Sequence, residues 1–183
     1  IGCDRSSGLA GICKKRSFEV LLSDCLRLPL KSGSIDAAIS IAVIHHLSTP
    51  DRRRAAFLEI LRILKPGGRC LIYVWAKEQN RNSTKSTYLR FNPNKNHKSG
   101  AEGVEEVQKL FHDLALPVHT NRTNFTHSDV LVPWKRQGGG EFLRYYHVFE
   151  EEEFIELCKG LENSQVEKIY YDQGNWCTIL RKI

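Results

Sequence analysis

Ile35-Asp36-Ala37-Ala38-Ile39-Ser40-Ile41-Ala42-Val43-Ile44-His45-His46-Leu47 opens the stretch that decides the fold, and Leu64-Lys65-Pro66-Gly67-Gly68-Arg69-Cys70-Leu71-Ile72-Tyr73-Val74-Trp75 closes it. Ile35 to Val43 is apolar with little alternation, the pattern of a parallel strand covered on both faces. Pro50 to Leu64 then sets Ala55, Leu58, Ile60, Leu61 and Leu64 at helical spacing, with Ser48 or Thr49 as N-cap and Pro50 at the first helical position. Lys65-Pro66-Gly67-Gly68 is a structural turn, because Pro stops a helix and Gly takes turn conformations. Arg69 to Trp75 is the next strand. Strand, helix and strand in this order form half of a nucleotide-type α/β fold, with its reactive crevice where His45 and His46 leave the first strand.

Outward from that block, Ile1 to Asp4 reads as the tail of a strand and Leu9 to Arg16 as a short helix with Leu9, Ile12 and Cys13 on one face. Phe18 to Leu22 is a further strand ending at Asp24. Beyond Trp75 the composition turns polar from Ala76 to about Gly103, where six basic residues stand against two acidic ones, so this segment carries +4 of the chain's formal +6. It reads as a flexible basic insertion extending to about residue 115, and either attracts phosphates or is simply solvated. Val104 to Leu114 has the spacing of a short helix. Glu150 to Lys159 is a helix, and Val166 to Tyr171 with Trp176 to Leu180 reads as a hairpin turned by Asp172-Gln173-Gly174-Asn175. The expected architecture is one α/β domain, residues 1–183. Its mostly parallel sheet ends in an antiparallel hairpin, with a cofactor-binding half over 1–75 and a substrate-binding half over 116–183.

At 183 residues and 41% hydrophobic, the chain can bury one core but not two. No apolar run approaches the roughly 20 residues of a membrane helix, so a soluble protein is expected. The cysteines at 3, 13, 25, 70, 158 and 177 show neither a C-x-x-C pair nor Cys/His ligand spacing. No metal site is expected, and reduced thiols point to the cytoplasm, with the nucleus as a second location. The chain has no methionine and opens on Ile1-Gly2-Cys3-Asp4. With no signal or transit pattern at its start, a fragment is the expected reading.

Gly2-Cys3-Asp4, Ser23-Asp24, Ile35-Asp36 with its strand, His45-His46 and Leu64 to Gly68, in that order, resemble the class I S-adenosylmethionine methyltransferases. A narrower likeness rests on Ile39 to His46, Ile72 to Ala76, Asp129 to Trp134, Arg144 to Phe149 and Gly174 to Cys177. These segments resemble the eukaryotic tRNA wobble-uridine carboxymethyl methyltransferases, including the methyltransferase half of the AlkB-type tRNA hydroxylase. The resemblance implies S-adenosylmethionine as cofactor and methylation of the carboxylate of 5-carboxymethyluridine in tRNA. It also implies a small zinc-binding activator subunit. The family has a first strand and a Gly-x-Gly loop upstream of Gly2, which this sequence lacks.

The candidate residues follow. Asp4 would accept from the cofactor ribose, or else cap the helix that follows. By the family resemblance Asp24 would accept from the adenine amino group with the Cys25 backbone beside it, and Ile41, Ala42 and Val43 would line the crevice edge through their backbone. His45 and His46 are adjacent in a loop, so at most one faces the reaction and the other is packed. Arg144, Tyr145, Tyr146 and His147 make the main substrate set, an arginine fork for a carboxylate and tyrosine faces for an unstacked base. Asn121 and Arg122 form a second set, and Trp134 can stack on a base, while Val130, Leu131 and Trp176 read as core. His45, His46 and Arg144 are the candidates nearest the chemistry. Two rival functions fit the same fold, a small-molecule methyltransferase and a non-catalytic interaction fragment.

Overall fold

The computed structural model describes residues 1–90, 107–111, 114–135 and 138–183. Strand β1 (Gly2–Asp4) leads to helix α1 (Ser7–Lys15), which Ser6 caps by accepting the Leu9 N–H at 3.2 Å. Strand β2 (Val20–Leu22) pairs in parallel with β1, and these two make a sheet of their own. Strand β3 (Ile35–Ile41), a 3₁₀ turn (Ile44–His46), helix α2 (Pro50–Ile63) and strand β4 (Leu64–Trp75) follow. Thr49 caps α2 through the Arg52 N–H, with Pro50 in the first turn, where a missing N–H costs nothing. Strand β4 starts at Leu64, five residues ahead of the expected Arg69. At Gly68 an added Cβ would lie 2.9 Å from the carbonyl oxygens of Asp36 and Lys65, so only glycine lets β3 and β4 approach there.

The polar segment is less open than its composition suggests. Strands β5 (Asn80–Arg81) and β6 (Thr84–Lys85) form a tight antiparallel pair, and helix α3 (Thr87–Arg90) follows. Gln79 and Ser86 are buried and bonded to each other at 2.8 Å, while Gln79 Nε2 donates to the carbonyls of Ala76 and Gly174. Gly174, at φ +90°, leaves the space this amide occupies; a Cβ there would collide with Gln79 and Ser86. Arg81 forms two 3.0 Å bonds to the Glu151 carboxylate and lies 4.7 Å over the Trp176 ring. The expected helix over Val104 to Leu114 is replaced where described by two antiparallel strands, β7 (Val107–Phe111) and β8 (Leu114–Pro117). A helix of that length leaves its terminal N–H and C=O groups unpaired, whereas pairing with β8 gives the backbone a partner along the strand. The remainder of the expected insertion, 91–106 and 112–113, lies outside the described residues.

Strands β9 (Asp129–Lys135) and β10 (Glu141–His147) form an antiparallel hairpin, followed by helix α4 (Glu151–Lys159) and strands β11 (Ser164–Asp172) and β12 (Asn175–Lys182). The main sheet runs β11-β12-β4-β3. Its β3–β4 pair is parallel and its other two pairs antiparallel, so the sheet is mixed and ends in the expected C-terminal hairpin. Helices α2 and α4 cover one face, where Phe57, Phe154, Ile72, Val74 and Leu180 are fully enclosed. Each such side chain contributes roughly 1.5–3 kcal/mol of burial free energy.

Strand β3 departs from the two-sided cover its composition predicts. Ile39 is 74% and Ile41 55% exposed, because α2 and α4 pack on the opposite face and α1 packs on the separate β1–β2 pair. No described helix is long and apolar enough to cross a membrane. All six cysteines are free, and burial pushes the thiols of Cys70, Cys158 and Cys177 up to about 12.

Candidate functional site

At the carboxyl ends of β3 and β4 the chain leaves the sheet through Ala42, whose φ of 59° is rare for a residue with a Cβ, and whose N–H donates to the Tyr73 carbonyl at 3.2 Å. Such left-handed positions cost roughly 1–3 kcal/mol and gather at functional turns. The exposed Ile41 and Val43 flank it. The 3₁₀ turn then sends two neighbouring imidazoles in different directions.

His45 is fully buried. Its Nδ1 accepts the Trp75 N–H at 3.1 Å, so the proton sits on Nε2, and burial holds the ring well below the usual histidine range. It stacks on Tyr146 with centroids 4.9 Å apart. His46 is exposed. Its Nδ1–H donates to the Tyr145 carbonyl at 3.0 Å, and partial burial, followed by the nearby Arg144 charge, lowers its pKa against the opposing effect of that carbonyl. At neutral pH the ring is uncharged and leaves Nε2 as an acceptor.

The hairpin supplies the opposite wall. The chain beyond β10 runs beside the end of β4, where Phe149 N–H donates to the Trp75 carbonyl at 2.9 Å and Lys77 N–H to the Phe149 carbonyl at 2.8 Å. This seam carries Tyr146 onto Trp75, with centroids 4.7 Å apart, and onto the edge of His46 at 4.4 Å. Residues two apart on a strand share a face. Arg144 therefore stands on the Tyr146 side, near enough to that hydroxyl to offset in part the rise that burial imposes on it. The exposed Arg144 guanidinium lies 4.3 Å over the Trp134 ring and forms no ion pair among the described residues. Trp134, itself 41% exposed, also packs on Phe142.

Tyr145 and His147 point the other way. The Tyr145 hydroxyl donates to Asp129, and burial, then Asp129, raises its pKa. His147, expected at the substrate wall, is buried between Asp129 and Glu153 with both ring nitrogens engaged. Asn121 and Arg122 are also committed elsewhere. Arg122, at φ 68°, donates its N–H to the Tyr88 hydroxyl at 2.9 Å and its Nη1 to the Tyr88 carbonyl at 3.2 Å, and Asn121 Nδ2 donates to the Pro133 carbonyl.

Tyr88 went unnoticed in the sequence because it sits alone in a polar segment, yet it organises this side of the site. Its ring packs on Trp75 and Phe125, and its hydroxyl meets the His119 Nε2 at 3.1 Å. His119 stacks on Phe125 at 4.0 Å, and burial pulls its pKa down to about 4. A signal for Phe125 and His119 lay in their nearness to Arg122; for Tyr88 there was none.

On the cofactor side, Asp4 ends β1 and its Oδ1 accepts the Ser6 N–H at 2.7 Å, so it starts the turn that Ser6, not Asp4, caps. Asp24 Oδ1 accepts the Leu26 N–H at 3.0 Å. Burial, then Asp24, pushes the Cys25 thiol up to about 11, leaving it an uncharged neighbour. These residues fit an adenosyl group in chemical type: Asp4 and Asp24 offer carboxylate acceptors at strand ends, and exposed Ile41 and Val43 offer apolar surface. No described cluster of His, Cys, Asp and Glu could hold a metal ion.

A methyltransferase domain family model matches residues 1–72. Among solved structures, a Pyrococcus horikoshii protein aligns over all of this chain and 70% of its own, with a TM-score of 0.60 at 17% identity. A Methanosarcina mazei S-adenosylmethionine-dependent methyltransferase aligns over all of this chain and 81% of its own, with a TM-score of 0.58 at 16% identity. Both share the fold, which is that of the Rossmann-like methyltransferases. The tRNA (carboxymethyluridine(34)-5-O)-methyltransferase of Xenopus tropicalis is 44% identical over 100% of this chain and 32% of its own length, and that of Macaca fascicularis 38% identical over 100% and 35%. The chain thus spans about a third of these longer relatives. The Schizosaccharomyces pombe enzyme of the same name is 32% identical and is covered over 72% of its length, and this chain belongs to the tRNA (carboxymethyluridine(34)-5-O)-methyltransferase family.

Proposed function

We propose that this chain is the methyl-transfer domain of an enzyme that esterifies the carboxylate of 5-carboxymethyluridine at the wobble position of tRNA. The observation that carries the reading is the Arg144 guanidinium, stacked on Trp134, free of any carboxylate partner among the described residues, and set beside Tyr146 and the neutral His46. A planar fork held by an aromatic ring fits a carboxylate, and the exposed rings fit an unstacked base.

S-adenosylmethionine, when bound, supplies a methyl group on a sulfonium, and Asp4, Asp24, the Cys25 backbone and Ile41 to Val43 are the residues that would hold it. The substrate carboxylate, with a reference pKa of about 4, is already ionised at neutral pH, so no residue need remove a proton. Arg144 holds one carboxylate oxygen and leaves the other free to attack. Trp75 and Tyr146 exclude water from that oxygen, and His46 Nε2 accepts from a donor on the base or ribose. Positioning and partial dehydration therefore carry the rate. His45 shapes this wall from beneath through its hydrogen bond to Trp75.

The activator subunit is part of the same proposal. Phe18, just before β2, and Leu22 within it, 62% and 61% exposed, give this part of the fold an apolar surface of the kind a partner covers. Methyl transfer by the full-length protein, followed by mass spectrometry, should place an alkali-labile ester on tRNA carrying carboxymethyluridine and none on a panel of small carboxylic acids. Ester formation on the small acids alone would overturn the reading.

A further inference from the structure

The densest set of ionisable side chains lies behind the substrate wall. His147 is 5% exposed. Its Nδ1 is 2.9 Å from Asp129 Oδ1, and its Nε2 is 2.8 and 2.9 Å from the two Glu153 oxygens. Ionised carboxylates only accept, so both contacts are hydrogen bonds only if the ring carries a proton on each nitrogen. The network extends in two directions. Glu153 Oε1 is 3.4 Å from Nη2 of the buried Arg53, whose Nη1 donates to the Leu47 carbonyl at 3.1 Å. Asp129 accepts from the Tyr145 hydroxyl, which also lies 3.4 Å from the Ser48 carbonyl.

These two arms end on the two residues that follow His46. The third tie is the His46 Nδ1–H itself, on the Tyr145 carbonyl. The short loop that carries His46 is thus held at three consecutive residues by groups that converge on His147. We propose that His147 is a positioning residue for methyl transfer: by bridging Asp129 on β9 to Glu153 on α4, it locks the hairpin against α2 and fixes the direction of His46. The role in methyl transfer rests on the function proposed above; the bridge itself does not.

The charged and titratable groups facing His147 are Asp129 from β9, Tyr145 from its own strand, Glu153 and Glu150 from α4 and its cap, Arg53 from α2, and His45 from the 3₁₀ turn. With His147 protonated, it and Arg53 balance Asp129 and Glu153. Without that proton, two carboxylates face a ring able to donate to only one of them.

His147→Gln and Glu153→Gln in the full-length protein test the proposal by kinetics and by imidazole NMR. Either variant should lower kcat by roughly 10- to 100-fold, the size of effect expected from misplacing a positioned group, with little change in KM for S-adenosylmethionine. In both, the His46 ring should titrate closer to the ordinary histidine value as it gains water. A folded His147→Gln with wild-type kcat and an unmoved His46 titration would overturn the proposal. Should His147→Gln fail to fold, Glu153→Gln decides by the same readouts. If the wild type transfers no methyl group to the modified tRNA, the functional reading fails alone, and the His46 titration in the two variants still decides the bridge.

Discussion

Helices α1 and α2 each precede or follow a parallel strand, yet they sit in different physical situations. Residues 1 to 22 include no buried side chain, and Leu9 and Ile12 of α1 are about half exposed. Helix α2 buries Arg53, Ala56, Phe57, Ile60, Leu61 and Ile63 against β4 and α4. An amphipathic helix is stabilised mainly by the layer it packs on, and of these two helices it is α2 that buries side chains on one. The same division runs through the site. The residues assigned to the cofactor stand on the open side, and those assigned to the substrate rest on a packed aromatic wall.

Truncating a core ring should give the largest effect. Phe154→Ala should cost about 3–5 kcal/mol in urea unfolding, as buried ring-to-methyl changes do, while Leu9→Ala should stay within about 0.5 kcal/mol. Equal losses would erase the distinction between the two regions. Tyr88→Phe comes next. Removing its hydroxyl leaves the Arg122 N–H without that acceptor, and an orphaned polar group costs about 1–3 kcal/mol. Limited proteolysis should then cut the 119–125 loop sooner than residues within β4.

The smallest effect is a slope. His45 and His119 bind a proton less readily folded than unfolded, so their contribution to stability is complete above pH about 6.5 and is lost as pH falls, toward about 4 for His119. Denaturant unfolding across this range should show stability declining with acid, and His119→Gln should remove up to about 1.4 kcal/mol per pH unit of that slope. An unchanged slope in the variant would show that His119 is not held neutral by its burial.

Much of the central block is legible from residue types alone. Thr49 and Pro50 mark the start of α2, and Gln173-Gly174 turns the final hairpin with φ of 50° and 90°. Of the apolar face expected for α2, Ile60, Leu61 and Leu64 are buried but Ala55 and Leu58 are exposed, because the helix turns Arg53, Ala56, Phe57 and Ile63 to the core instead. What escapes depends on partners distant in sequence. Val107 to Phe111 has a helical spacing that only its pairing with Leu114 to Pro117 overrules. Gln79 and Ser86 look solvated until each is seen to satisfy the other inside the fold. Strand parity was available and would have separated Arg144 and Tyr146 from Tyr145 and His147, but not the carboxylates that enclose His147. The aromatic neighbours Tyr145 and Tyr146 rank Arg144 above Arg122 in the sequence, and only the fold shows the first stacked on Trp134 and the second folded around Tyr88.

The central claim is that the Arg144 face recognises a carboxylate on an unstacked base. Equilibrium binding of an anticodon stem-loop carrying carboxymethyluridine, compared with the same stem-loop carrying uridine, tests it most directly. Wild type should prefer the carboxymethyl form by at least about tenfold, roughly 1.4 kcal/mol, and Arg144→Ala should abolish the preference while binding the uridine form as before. A preference that survives in Arg144→Ala would contradict the account.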